Sequence, residues 1–228
     1  MQKIKVSLIG YGYWGTKLAR NFQNSNFFNL VSIIDTSQKN LNRAKKDFPS
    51  VRADKNHKSI LKIKNVSLII ISTPTKTHFE IAKFALKNNN HVLVEKPLSL
   101  SLNDVNKLEI LAKKNKKLLF VDYPFLFSGS INYIKKIIDS KKYGDLFEIE
   151  SFREQAPIRK DCNVLWDLCV HDISILNYLL NKNPKTTKSL MIKSPNAPLA
   201  DSAYLNLVYK NKLNRSEEHT SELQSRTN

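Results

Sequence analysis

The chain has 228 residues, of which 41% are hydrophobic and 25% are charged, a globular balance that allows one large or two modest domains. No apolar run approaches the roughly 20 residues of a membrane span, and the N-terminal stretch MQKIKVSLIGYGYWG is too short in its apolar part for a secretory signal. The net charge of +17 raises the alternative of a nucleic-acid-binding protein, but lysines are spread over nearly every predicted helix, which favours solvated helix faces and no nucleic-acid partner.

The first half of the chain alternates short apolar strands with helices. Strands that read as continuous apolar runs between helices are typical of a parallel sheet covered on both faces. We therefore predict a doubly wound α/β domain over residues 1–122. Its predicted strands are Ile4–Gly10, Leu30–Asp35, Val66–Ser72, His91–Glu95 and Leu118–Asp122, and its predicted helices are Trp14–Phe22, Leu41–Phe48, Phe79–Lys87 and Leu102–Lys114.

The pattern changes in the second half, where apolar and polar residues alternate along the predicted strands. Such alternation suits an antiparallel sheet with one solvated face. We predict a partial α+β domain with an open, mostly antiparallel sheet over residues 123–214. Its predicted elements are the helices Ile131–Ser140 and Asn163–Leu180, a long strand YGDLFEIESFREQ (143–155), and the strands Ser189–Ser194 and Ala203–Lys210.

The last residues have no apolar period. RSEEHTSELQS (Arg215–Ser225) resembles the translated reading frame of a DNA-sequencing adapter. We therefore predict a non-native tail over residues 215–228 and a natural product that continues beyond Asn214, so that the second domain is truncated.

The two cysteines, Cys162 and Cys169, lie seven residues apart, which matches no metal or redox spacing. This spacing favours two reduced thiols in a cytoplasmic protein, and no metal site is predicted.

The motif GYGYWG places Gly10, Gly12 and Gly15 in G-x-G-x-x-G spacing, directly after a predicted strand and at the start of a predicted helix. The first glycine permits a tight turn, the second lets the backbone approach a pyrophosphate, and the third lets the helix pack on the strand. The helix N-terminus offers unpaired N–H groups to phosphates. This stretch, with its Tyr13 and Trp14, is predicted to bind a dinucleotide.

A carboxylate, Asp35, ends the second predicted strand, 20 residues after Gly15. In this position it can accept hydrogen bonds from both adenosine ribose hydroxyls and would repel a 2′-phosphate, which favours NAD over NADP. The alternative is an aspartate that starts a turn before Thr36 and Ser37.

A lysine follows the fourth long strand in VEKP, which places Glu95, Lys96 and Pro97 at the carboxyl edge of the sheet. Open α/β sheets bind ligands at that edge, so Lys96 is predicted to lie near a nicotinamide. The alternative is a surface lysine in a strand-to-helix turn.

These motifs in this order resemble the glucose–fructose oxidoreductase / inositol dehydrogenase / MocA family. The resemblance rests on GYGYWG, Asp35, STPTKTH (Ser72–His78), EKP, and a later helix with Asp-x-x-x-His, and it extends up to Asn214. It implies NAD(P)-dependent oxidation or reduction of a sugar or cyclitol carbon, and a second domain that builds homo-oligomers. The stretch NVLWDLCVHDISIL is most similar to members associated with nucleotide-sugar and surface-polysaccharide synthesis.

The predicted helix Asn163–Leu180 is mostly apolar, yet it carries polar residues in its middle. At about 100° per residue, Asp167, His171, Ser174 and Tyr178 fall on one stripe, opposite the apolar residues. An imidazole with a pKa of about 6.5 can take a proton from a sugar hydroxyl, and Lys96 can stabilise the alkoxide that develops. Asp167 is predicted to orient the imidazole or to bind a substrate hydroxyl. A core histidine is the alternative for His171.

The resemblance implies roles for several further residues. Thr73, Pro74, His78 and Glu95 would lie beside the cofactor, although His78 could instead only cap a helix. Tyr123 and Trp166 would contact the substrate together with Asp167, although Trp166 could instead fill the core. Asp172 falls on the apolar stripe and needs a donor such as a backbone N–H or Arg159, so it is predicted to be structural.

The leading hypothesis is an NAD-dependent dehydrogenase that acts on a CH–OH group of a sugar, nucleotide sugar or cyclitol. A non-catalytic NAD-binding sensor on the same fold and a reductase of a non-sugar substrate are the alternatives. The intact set of Lys96, Asp167 and His171 argues against the sensor.

Overall fold

The computed structural model describes residues 2–154 and 161–209. Six parallel strands form its main sheet, in the order β3-β2-β1-β4-β5-β6. These strands are β1 (Ile4–Ile9), β2 (Phe28–Ile34), β3 (Arg52–Asp54), β4 (Val66–Ile71), β5 (His91–Glu95) and β6 (Leu119–Asp122), and the helices between them are α1 (Tyr13–Gln23), α2 (Gln38–Asp47), α3 (His78–Lys87) and α4 (Leu102–Lys114).

The order of the strands reverses at β1, which pairs with β2 on one side and with β4 on the other. The chain crosses from one side of the sheet to the other between these pairings, which makes the carboxyl ends of β1 and β4 a topological switch point. Ligands of open α/β sheets bind at such a switch point. The predicted doubly wound sheet is confirmed, and it places the glycine motif at its switch point.

The sheet is apolar on both faces because each face is covered by helices. Ile69, Ile71 and Val94 are completely or almost completely buried on the side of α3 and α4, and Leu8 and Ile33 are buried in a second cluster with Ala19 of α1. A fully buried aliphatic side chain contributes about 1.5–3 kcal/mol relative to an exposed one. The two layers therefore fix the strand ends that carry the site.

The second half begins with the helix α5 (Gly129–Ser140) and continues with α6 (Val170–Leu180) and the strands β7 (Thr186–Ile192) and β8 (Ser202–Val208). One turn of π-helix, Leu165–Cys169, leads directly into α6. The strands β7 and β8 pair antiparallel, as predicted.

The predicted long strand at 143–155 is wrong. Residues 144–154 form no strand, and Gln155 lies outside the described residues. Phe147 and Phe152, on which the alternation depends, are 94% and 90% exposed. A strand is stabilised by hydrogen bonds to a neighbouring strand, and in the described part of the chain no strand pairs with this segment. An alternating pattern predicts a face but does not supply a partner.

Two other predictions fall outside the described residues, namely Arg159 as a donor to Asp172 and the non-native tail at 215–228. Within the described ranges, no helix is long and apolar enough to cross a membrane. The same residues contain no cluster of three or more histidine, cysteine, aspartate or glutamate side chains that could hold a metal ion. Cys162 and Cys169 are not joined by a disulfide.

Candidate active site

The carboxyl ends of the parallel strands bring the predicted site residues to one edge of the sheet. Gly10 follows β1, Asp35 follows β2, and Ser72 follows β4, whereas Glu95 and Asp122 end the neighbouring strands β5 and β6 in register with each other. Lys96 is the next residue after β5. Sequence positions more than 100 residues apart therefore meet at one edge because parallel strands all end there.

The glycine turn after β1 is packed too tightly for any side chain at two of its three positions. A Cβ on Gly10 would lie 2.2 Å from the carbonyl oxygen of Ser72, and a Cβ on Gly15 would lie 1.9 Å from the carbonyl oxygen of Gly10. Gly10 also has a φ of +95°, a region that glycine enters without strain. At Gly12, no described atom lies within 4 Å of an added Cβ, so the surface beside this glycine is open.

That open surface fits a pyrophosphate. Gly12 caps the N-terminus of α1 without a side-chain hydrogen bond, which leaves the N–H groups of the first turn available to an anion. Tyr13 and Trp14 are exposed at the same end, and the Lys17 ammonium lies 4.1 Å and 4.2 Å above their ring centres. A backbone cradle, a positive helix end and a nearby ammonium together match the charge of a dinucleotide's phosphates.

The Asp35 carboxylate starts a turn, which was the alternative prediction for this residue. Its Oδ1 accepts the backbone N–H of Ser37 at 2.8 Å. Its Oδ2 accepts the N–H of Tyr11 at 2.7 Å and the side-chain amide of Asn40 at 3.0 Å, so Asp35 also fixes the glycine turn. An ionised carboxylate has about four acceptor positions. The unused capacity on Oδ1 leaves room for a ribose hydroxyl, and ribose binding by Asp35 stays a prediction.

His78 lies between the loop that follows β4 and the loop that follows β5. It is 1% exposed, with Nδ1 2.8 Å from the carbonyl oxygen of Pro97 and Nε2 2.8 Å from that of Thr73. Thr73 in turn shares a hydrogen bond of 2.7 Å with Thr77, and Pro74 is exposed. His78 therefore connects the loop after β4 to the loop that carries Lys96. This connecting role differs from both predictions for His78, which were a contact with the cofactor and the capping of a helix.

His78→Ala is expected to lower the free energy of unfolding by about 1–3 kcal/mol, because a neutral imidazole carries one N–H and its removal leaves at least one buried carbonyl without a donor. Urea unfolding measures this loss. His78→Asn retains an N–H near the position of Nδ1 and His78→Gln retains one near the position of Nε2, so each is expected to restore part of the stability. Equal stability of His78→Ala and the unmodified protein would show that the two contacts are not bonds.

Lys96 and Asp167 form a buried ion pair that joins the two halves of the chain. The Lys96 ammonium donates to Asp167 Oδ1 at 2.9 Å and to the Asp167 backbone carbonyl at 2.6 Å. The two side chains are only 10% and 9% exposed. Asp167 lies in the π-helical turn, and a turn of this kind is a frequent feature of functional sites. Both residues were predicted for the catalytic site, but neither their ion pair nor the contact to the carbonyl was predicted.

His171 follows one turn after Asp167 and is 9% exposed. Its Nδ1 is buried and has no hydrogen-bond partner among the described residues. Burial first, and then the nearby Lys96 and Arg153 charges, lower the pKa of His171 to about 4, against a smaller opposing effect of Asp172 and Asp167. The imidazole is therefore neutral at physiological pH and can accept a proton.

Asp172 is held by Arg153. Arg153 donates from Nε to both carboxylate oxygens, at 3.0 Å and 3.3 Å, and from Nη2 to Oδ1 at 3.0 Å. The Ser151 hydroxyl adds a hydrogen bond of 2.9 Å. The prediction that Asp172 needs a donor is confirmed, but the donor comes from the segment that was predicted as a strand.

The rest of the polar stripe on α6 does not face the site. The Ser174 hydroxyl donates to the carbonyl oxygen of His171 in its own helix, and the Tyr178 hydroxyl donates to Asn132 of α5. The periodicity grouped these residues with His171 on α6, but it could not show that one hydroxyl bonds within the helix and the other to α5. Only Asp167 and His171 of that stripe are combined with Lys96.

Tyr123 and Trp166 are half-buried, Tyr123 just after β6 and Trp166 in the π-helical turn. Burial raises the pKa of both Asp122 and Tyr123. Glu95 is also half-buried. Their predicted contacts with substrate and cofactor stay predictions. Sequence reasoning missed Asp122, Phe125 and Arg153, and the signal that could have found Arg153 was the unpaired carboxylate of Asp172.

A parallel sheet with a glycine turn at its switch point, next to a buried lysine and a neutral histidine, defines an NAD-binding oxidoreductase with a Rossmann fold. The chain belongs to the glucose–fructose oxidoreductase / inositol dehydrogenase / MocA family, because residues 4–123 match the sequence model of this oxidoreductase family with its NAD-binding Rossmann fold. The resemblance predicted from the motifs is thereby confirmed.

Known relatives of the chain include dehydrogenases of ring-shaped substrates. It is 27% identical over 186 residues to myo-inositol 2-dehydrogenase of Thermotoga maritima, covering 78% of this chain and 55% of that protein. It is 30% identical over 148 residues to 1-carboxy-3-chloro-3,4-dihydroxycyclohexa-1,5-diene dehydrogenase of Comamonas testosteroni, covering 65% and 37%. The chain thus spans about half or less of the length of these relatives.

A solved structure of the same fold contains the cofactor. GenD2 from gentamicin A biosynthesis, in complex with NAD, superposes with a TM-score of 0.82 at 20% identity, and the match covers 90% of this chain and 62% of GenD2. At this identity the likeness shows the fold, which is that of the NAD-binding family.

Proposed function

We propose that this chain carries the cofactor site and the acid–base pair of an NAD-dependent dehydrogenase acting on a secondary alcohol of a cyclitol or sugar. One observation carries the proposal: the Lys96 ammonium from the nucleotide half donates to Asp167 of the second half, one turn before the buried His171 imidazole, whose pKa the Lys96 charge lowers. The sensor alternative has no use for a neutral buried imidazole beside a buried ammonium.

In the proposed oxidation, a substrate hydroxyl gives its proton to a ring nitrogen of His171 while the C–O bond becomes a carbonyl. The buried Lys96 ammonium lies where it can stabilise the negative charge that develops on that oxygen. Asp167 shares the ammonium and can accept a hydrogen bond from a neighbouring hydroxyl of the substrate. When bound, NAD supplies the acceptor for the hydride that leaves the same carbon.

The glycine turn would hold the pyrophosphate, and Asp35 would hold the adenosine ribose. The open face of Gly12 and the uncapped end of α1 fit this cofactor, and the carboxylate at Asp35 favours NAD over NADP. The protein's own groups therefore orient both reactants and move one proton.

Two relatives support the substrate class, since one is named as an inositol dehydrogenase and the other as a dehydrogenase of a dihydroxycyclohexadiene. A ring polyol with adjacent hydroxyls can meet Lys96, Asp167 and His171 at one carbon and its neighbour. A nucleotide sugar in surface-polysaccharide synthesis is the narrower alternative, which rests on the resemblance of NVLWDLCVHDISIL alone.

The test is a search for turnover with NAD across inositols, free sugars and UDP-sugars, followed at the absorbance band of the reduced nicotinamide. We expect reduction of NAD with at least one cyclitol or sugar, and loss of that turnover in His171→Asn. Binding of NAD without reduction across the whole panel would favour the sensor, and reduction with a substrate that lacks a hydroxyl-bearing ring would favour the third alternative.

The pH dependence of turnover tests the base directly. Because the His171 pKa is lowered to about 4, the neutral form persists well below pH 6.5, and kcat/KM is expected to fall only as the pH drops towards 4. NADH binding at each pH serves as the control for folding. An acidic limb centred near the ordinary histidine value of about 6.5 would contradict the proposed environment of His171.

A further inference from the structure

Arg153 links Asp172 to the aromatic wall beside His171. Its bidentate pairing with Asp172 uses Nε and Nη2, and the two side chains are 25% and 17% exposed. A planar guanidinium that is held at two of its nitrogen atoms has little rotational freedom. The guanidinium is therefore fixed in place by the residue that directly follows His171.

From this position Arg153 contacts the site through an aromatic ring. Its guanidinium carbon lies 4.7 Å from the centre of the Phe125 ring, and the edge of that ring meets the His171 imidazole, with the ring centres 5.0 Å apart at an interplanar angle of 83°. Guanidinium–aromatic and edge-to-face contacts are both favourable arrangements. A continuous chain of contacts thus runs from Asp172 through Arg153 and Phe125 to His171.

Among the described residues, four charged groups act on the imidazole. The positive charges of Lys96 and Arg153 disfavour its protonation, whereas the carboxylates of Asp172 and Asp167 favour it, and burial adds to the effect of the positive charges. Lys96 is shared with Asp167 in the buried pair. Arg153 is therefore the second cation that acts on the ring, and its own carboxylate partner lies on the same helix as that ring.

We propose that Arg153 is a positioning residue for His171, which holds Phe125 against the imidazole in one orientation and keeps a positive charge beside it, so that the ring stays free of a proton until substrate arrives. This inference rests on the proposed role of His171 as the base. It also gives the segment at 144–154, which forms no strand, a function in the site.

The test is an NMR titration of the histidine rings in the unmodified protein, Arg153→Met, Arg153→Lys and Asp172→Asn. The chain has five histidines, so the His171 signal can be assigned from its loss in His171→Asn. Removal of the Arg153 charge is expected to raise the His171 midpoint by about half a pH unit or more, and Arg153→Lys is expected to restore most of the original value. Asp172→Asn is expected to lower the midpoint, because it removes a negative neighbour.

The His171 midpoint is expected to move in opposite directions in Arg153→Met and Asp172→Asn. This difference distinguishes an effect of charge from a merely structural role of Arg153. Loosening of the packing would expose the ring and raise the midpoint in Arg153→Met and Asp172→Asn alike, since burial is the largest cause of the lowered value. A rise in Asp172→Asn, or an unmoved midpoint in Arg153→Met, would overturn the proposal. If Arg153→Met does not fold, the sign for Asp172→Asn and the rescue by Arg153→Lys still decide.

The titration needs neither NAD nor substrate, so its outcome is independent of turnover. Opposite shifts in a protein that reduces no NAD would keep the positioning role of Arg153 and overturn the dehydrogenase. Turnover together with midpoint shifts of equal sign would keep the dehydrogenase and overturn the positioning role of Arg153.

Discussion

Gly10→Ala is expected to prevent stable folding of the nucleotide-binding half. The added Cβ would lie 2.2 Å from a backbone carbonyl oxygen in the neighbouring strand's loop, and the φ of +95° adds strain for any residue with a Cβ. Neither the Ser72 carbonyl nor the sheet that fixes it can move without loss of the β1–β4 pairing. We expect a loss of about 4 kcal/mol or more in the free energy of unfolding, a large part of a typical domain's stability.

Gly12→Ala is the matched control in the same turn. No described atom lies within 4 Å of its Cβ, so the protein should fold with its stability changed by less than about 1 kcal/mol. Its methyl group would instead project into the surface proposed for the pyrophosphate, and NAD affinity should fall at least about tenfold, which corresponds to 1.4 kcal/mol.

Urea unfolding and NADH fluorescence titration distinguish the two variants. The expected outcome is an unstable Gly10→Ala and a stable Gly12→Ala that no longer binds NADH well. Unchanged NADH affinity in Gly12→Ala would place the cofactor elsewhere. Gly129→Ala, at the open start of α5, is expected to change neither measurement.

The nucleotide-binding half was predictable because its signals are local. Continuous apolar runs predicted five of its six strands, and β5 (His91–Glu95) and α4 (Leu102–Lys114) were predicted with their observed limits. The missed strand, β3 (Arg52–Asp54), has three polar or small residues and is defined only by its pairing with β2. Its existence depends on a partner, which no local pattern reveals.

The site was predictable in its members and not in its contacts. Lys96, Asp167 and His171 could be named from motifs, but their connection through the Asp167 carbonyl depends on a π-helical turn that the sequence does not signal. The helical projection placed Tyr178 on the same stripe as His171, although its hydroxyl bonds to α5, because a projection shows one face of a helix and not what packs against it. Arg153 was hidden within an alternating stretch whose strand does not form.

Lys96→Met is expected to reduce turnover by about 1,000-fold and to destabilise the protein by about 3–5 kcal/mol. The two losses have different causes. Turnover falls because no cation remains beside the developing alkoxide, whereas stability falls because the Asp167 carboxylate, 9% exposed, loses its ammonium partner. Lys107→Met is the control, since Lys107 pairs with Asp104 on an exposed helix face, and it should change stability by less than about 0.5 kcal/mol.

The double variant Lys96→Met with Asp167→Asn separates these causes. It removes both buried charges at once, so most of the lost stability should return, because a neutral amide is much less costly to bury than an unpaired carboxylate. Turnover should not return, since the amide cannot replace the ammonium. Recovery of turnover together with stability would mean that Lys96 acts only by holding the two halves of the chain together. Loss of turnover in a stable double variant would show that this charged pair serves the reaction and not only the joining of the two halves.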